Sequence, residues 1–242
     1  MTDFTAEDLF DAVDRIVIDL LGRHGVDGPP VDAVALVQDA FGIPVVEADA
    51  DAGADEPGRF GPRARRRRRE IVLHPDQSDE SRHAACARAC ARELLPAVLT
   101  KLGVVPGTEN KGAQNSMIGL VAPRLLLPTR WFGRDARKAG YDLTELKSRY
   151  DTAGYELIAV RMLDLDEPCV IAVVDNGTVA TRRGNREAAG KKLTAAEQTC
   201  IGLVEAARES CVARKDGWTA RGWPVPTGPF NRIILRSVPD DL

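Results

Sequence analysis

The chain has 242 residues, enough for one large domain or two small ones. Hydrophobic residues make up 44% and charged residues 29%, the balance of an ordinary globular protein. A net charge of −3 and an isoelectric point near 5.7 exclude a general electrostatic attraction to nucleic acid or anionic membranes.

No apolar run approaches the roughly 20 residues that a membrane-spanning helix needs. The start, MTDFTAEDLFDAVDRI, is acidic and amphipathic and lacks the basic opening and apolar middle of a secretory leader. A cytoplasmic location is expected. Cys86, Cys90, Cys169, Cys200 and Cys211 are odd in number and irregularly spaced, which predicts reduced, mostly buried thiols.

Residues 6–22 predict a helix, with Leu9, Val13, Ile16, Val17 and Leu20 at helical spacing and Thr5 as N-cap. A second short helix is expected from about Val31, followed by a strand over Ile43–Glu47. Residues 48–62 are acidic, rich in Gly and Pro, and predict a loop. The run RARRRRR after it lacks the interleaved aromatics that stack bases, so it reads as a solvated strand end rather than a nucleic-acid patch. Ile71–Leu73 is the next strand core.

Residues 79–102 predict a long helix that Pro96 kinks or interrupts. Residues 103–112 are expected to be a loop, Asn115–Leu127 a third apolar helix stopped by Pro128, and Leu143–Tyr150 and Tyr155–Leu163 two more. The last pair has the look of a helix-turn-helix. YELIAVRML, however, offers one arginine among apolar residues, which suits packing better than base reading.

From Pro168 the character changes. CVIAVVDNGTVATRRGN predicts a hairpin turning at Asn-Gly. A helix follows, with Thr194 and Glu197 in capping-box spacing. Closing strands are expected near Cys211–Ala213 and Ile233–Val238, with an irregular segment between them. Trp218, Trp223 and Phe230 in that segment read as caps on a small core rather than as a binding surface.

The chemistry turns on SRHAACARACARELL, residues 81–95. In an HExxH zinc peptidase two histidines four residues apart reach one ion, and the glutamate between them activates the bound water. Here His24, His74 and His83 are each followed by a residue other than Glu, and none has a histidine four places on. No phosphate-binding loop, dinucleotide fingerprint or nucleophile elbow occurs elsewhere.

The surroundings of that helix nevertheless resemble the ImmA/IrrE family of zinc-peptidase-like proteins. Four segments carry the resemblance: GPPVDAVALVQDAFGIPV, EIVLHPDQSDESRHAACARACAREL, NSMIGLVAPRLLLPTRWF and DLTELKSRYDTAGYELIAVRML, together about residues 29–165. Their order and spacing are more specific than any one of them.

The resemblance implies an α+β architecture: a mainly helical zincin-like peptidase domain with a small sheet over residues 1–165, then a small α+β part over residues 166–242. It also implies where the ligands would stand. Arg88 and Ala89 replace the His-Glu pair, Arg92 the second histidine, and Asn115 the third ligand, a glutamate. A guanidinium is a permanent cation without an acceptor, so it cannot ligate Zn²⁺, and Ala89 provides no general base.

A metal-free pseudopeptidase with a regulatory, protein- or peptide-binding role is therefore expected, without cofactor. Arg88 and Arg92, stacked at i and i+4, would then replace the lost charge as an anion-binding pair. Two alternatives stay open. One is an active zinc endopeptidase cleaving a regulator protein, with Glu109 and His83, Cys86 or Cys90 as ligands. Those last three lie within roughly 60° on one helix face. The other is a nucleic-acid-associated regulator using the arginine run.

Overall fold

The computed structural model describes residues 4–48, 70–107, 110–186, 189–227 and 230–240. The arginine run, most of the acidic loop before it and Glu109 lie outside the described residues, as do the side chains of Thr227 and Phe230. The architecture is α+β, as expected. The chain packs as two units, Met1–Trp131 with Tyr150–Ala153, and Phe132–Arg149 with Gly154–Leu242.

The first unit opens with α1 (Ala6–Arg23), whose N-terminus is closed by a reciprocal box. The Asp8 N–H donates to the Thr5 hydroxyl at 3.1 Å, and the Thr5 N–H donates to the Asp8 carboxylate at 2.8 Å. Val13, Val17, Leu20 and Leu21 form its buried stripe. α2 (Ala33–Phe41) is capped by Asp32, which accepts from the Val34 and Ala35 N–H groups, and ends on Gly42 at φ 62°. Two short parallel strands, β1 (Val45–Glu47) and β2 (Ile71–Leu73), pair Val45 with Ile71 and Glu47 with Leu73.

α3 (Asp79–Lys101) packs against α1, α2 and α4 (Lys111–Leu126). The helix is not interrupted at Pro96: α3 runs through it, and Pro96 lies exposed on its surface. The carbonyl that loses its partner there belongs to the exposed Arg92, where water can satisfy it. α4 begins four residues before the expected Asn115, because the Asn110 side chain caps it by accepting from the Ala113 N–H at 2.8 Å.

The second unit holds most of α5 (Thr129–Lys138), with α6 (Leu143–Arg149), α7 (Tyr155–Arg161) and a single 3-10 turn. It continues with β3 (Val170–Asp175), β4 (Thr178–Gly184), α8 (Ala195–Ala207), β5 (Cys211–Lys215), β6 (Trp218–Thr227) and β7 (Phe230–Pro239). The five strands form an antiparallel sheet in the order β4-β3-β7-β6-β5.

Two hairpins turn on two residues with positive φ, Asn176–Gly177 (49° and 77°) and Asp216–Gly217 (51° and 73°). These are the values a type I′ turn demands. Strand alternation sends Ala172, Val174, Ile233 and Leu235 to one face, where α8 covers them through Ala196, Cys200 and Val204. α7 packs against β3 and β7. The boundary expected between residues 165 and 166 lies inside the second unit, since helices that look continuous with the helical half belong with the sheet.

β6 replaces the irregular segment expected between the closing strands. Pro224 and Pro226 suggested a break, but β5 pairs only as far as Gly222, so both prolines lie where β6 has β7 alone as neighbour.

Candidate functional site

The first candidate is the face of α3 that carries the degenerate motif. Ser78 starts the helix, its hydroxyl accepting from the Ser81 N–H, and Arg82 ties the first turn to β1 through Glu47 at 2.6 Å. His83 accepts the Ala33 N–H on Nδ1 at 3.3 Å and stands 3.7 Å from Asp32 Oδ1, so this imidazole closes the start of α2. Cys86 and Cys90 point into the core with no exposed surface.

Burial raises both thiols above their ordinary value, that of Cys90 to about 12. A zinc ligand needs the opposite shift, toward thiolate. No group of three His, Cys, Asp or Glu side chains able to hold a metal occurs among the described residues. The residues present at the family's ligand positions do not fit zinc.

Arg88 and Arg92, expected as an anion-binding pair, lie on the surface of α3. Both side chains are exposed, neither has an acidic partner among the described residues, and neither lines a cavity described below. Ala89 faces inward at 8% exposure and Asn115 outward on α4. The buried cation of this unit is instead Arg124. It lies 4.8 Å over the Phe10 ring and 3.4 Å from Asp14, and it donates to the Leu120 carbonyl.

The second candidate lies in the sheet unit. A cavity of about 700 Å³ opens at the end of the sheet where β3 and β6 begin and β4 and β7 finish. Pro168, Val170, Trp218 and Pro239 supply apolar wall, and Arg182, Asn185 and Arg186 supply the polar groups. A smaller space of about 280 Å³ near Asp8, Asp11 and Arg15 in the first unit is mostly polar.

The cavity walls are tightly held. Asn185 donates to the Leu165 and Glu167 carbonyls and accepts the Cys169 N–H, all at 2.9 Å. Arg182 reaches across to α8, its Nε donating to both oxygens of Glu197 at 3.2 Å while one terminal nitrogen donates to the Gly190 carbonyl at 2.7 Å. Glu197 has no exposed surface and also accepts from the Thr194 N–H and the Ser237 hydroxyl. The capping-box glutamate thus also neutralises a buried arginine.

Other charged groups fasten the unit. Arg232 grips the Asp175 carboxylate with two bonds of 2.7 and 2.8 Å and reaches Glu156 at 3.0 Å. Asp142 accepts from Arg221 and, at 3.5 Å, from the Trp223 indole. Arg236 lies 4.0 Å over the Tyr141 ring. Burial, then the nearby Glu167, raises the Tyr141 hydroxyl, and the proximity of that hydroxyl holds Glu167 below its usual value. Trp223 is buried, and Trp218 packs against the core under α8 while also lining the cavity, so both cap a core as expected.

Neither Arg182, Asn185 nor Arg186 stood out in the sequence as a site residue. The available signal was TRRGN, two adjacent arginines at the end of a strand in an otherwise apolar hairpin.

No family model and no curated protein matches the chain. Among solved structures it is similar to a Mycobacterium tuberculosis transcriptional regulator, with a TM-score of 0.62 and 19% identity over 96% of this chain and 75% of that one. At that identity the likeness is one of fold. No helix among the described residues is long and apolar enough to cross a membrane.

Proposed function

We propose that this protein is a regulatory, metal-free pseudopeptidase on an ImmA/IrrE-like, zincin-type scaffold, binding a protein or peptide instead of cutting one. The observation that carries the reading is α3. At its ligand positions it presents Arg88 and Arg92 to solvent and a buried Ala89, while its two cysteines are sealed in the core. The fold likeness to a transcriptional regulator supports a regulatory rather than a digestive role.

The test is the metal content of untagged protein expressed with added zinc. Less than about a tenth of an equivalent is expected, because a site without convergent, deprotonated ligands does not retain the ion. Near one equivalent, lost on His83→Ala or Cys90→Ser, would overturn the reading and restore the endopeptidase alternative.

A further inference from the structure

We propose that the cavity at the end of the β-sheet is a binding site for a small organic anion with an apolar body. This site is independent of the degenerate helix and of the function proposed for it.

The volume of about 700 Å³ is that of a small-molecule site. Its described lining is apolar except for Arg182, Asn185 and Arg186. Of its two arginines, Arg182 is neutralised by Glu197. Arg186 donates to the neutral Asp166 carbonyl and stands at the cavity rim. A guanidinium held by a neutral carbonyl at the rim of a pocket walled by proline, valine and indole suits an anionic head and an apolar body.

The walls are formed in advance. All the hydrogen-bonding groups of Asn185 named above are used to fix the 165–169 segment against the end of β4, so Asn185 positions the wall and does not face a ligand. Arg182 is likewise committed to Glu197 and Gly190. The contacts left for a ligand are the Arg186 guanidinium and the Trp218 ring. A site already ordered loses little conformational freedom on binding.

The test uses the full chain and two probes with closely similar aromatic bodies: 8-anilinonaphthalene-1-sulfonate, which is anionic, and N-phenyl-1-naphthylamine, which is neutral. Saturable binding of one sulfonate per chain is expected, with energy transfer from tryptophan emission. Arg186→Gln should weaken the sulfonate about tenfold, the scale of one charge-assisted contact, and leave the neutral probe within about twofold. Trp218→Leu should weaken both.

Because Arg186 is exposed, its replacement should leave the melting curve unchanged, which keeps the test interpretable. No saturable binding by wild-type protein would overturn the proposal. So would sulfonate binding indifferent to Arg186→Gln, or an equal loss of both probes in that variant.

Discussion

A methyl group at Gly222 would stand 2.8 Å from a Leu235 methyl and 3.0 Å from both Cys200 Sγ and a Val204 methyl. All three neighbours are buried, and β-branched Val204 has few other rotamers. Glycine at this point on β6 is what lets α8 lie close to the sheet. Gly222→Ala should lower unfolding stability by about 1–3 kcal/mol, read from urea midpoints. An unchanged midpoint would mean that α8 rides higher than described. Cysteine reactivity makes a second residue-level prediction. With Cys86 and Cys90 sealed and their thiols raised by burial, native protein at pH 8 should react rapidly with a disulfide reagent at Cys211 alone, the one cysteine that is not fully buried. Rapid labelling of Cys90 in folded protein would contradict the packing of α3.

At the scale of elements, α8 is held both by its apolar stripe and by one buried carboxylate. Removing Glu197 strands Arg182 in the interior, a loss of about 3–5 kcal/mol, whereas Thr194→Ala removes only a cap, about 1 kcal/mol. Denaturation of the two single variants should show that order. The Asp175–Arg232 pair makes a pH prediction. The bonds from Arg232 hold the Asp175 carboxyl below its ordinary value. Its contribution is therefore present above the ordinary carboxylate pKa of about 4 and is lost as pH falls through the lower folded value. Asp175→Asn should flatten that part of the acid limb in a pH series of melting curves.

The same elements mark how far the chain could be read. The β3–β4 hairpin was legible because Asn176–Gly177 is a local turn signal flanked by β-branched residues. Asp216–Gly217 carries a similar signal, but Pro224 and Pro226 downstream masked the strand it opens. α5 escaped because Gly133 and five charges hide an apolar side reduced to Phe132 and Ala136. The exposed arginines and buried cysteines of α3 could be placed from its helical spacing. The cavity could not, since Trp218 and Arg186 meet only through the pairing of strands.

For the whole molecule, the metal-free reading proposed above predicts indifference to zinc. Melting temperature should be the same in chelator and in excess zinc, because a ligand stabilises only the state it binds. A rise of several degrees with zinc would refute the pseudopeptidase reading.

The backbone passes from one packing unit to the other after residue 131, returns at 150 and leaves again after 153. Neither half is therefore a contiguous cassette. A single crossover between genes would separate Tyr150–Ala153 from the unit to which they belong, and recombination would seldom deliver either half intact. Grafting either part onto another scaffold would have to carry both of its chain segments across.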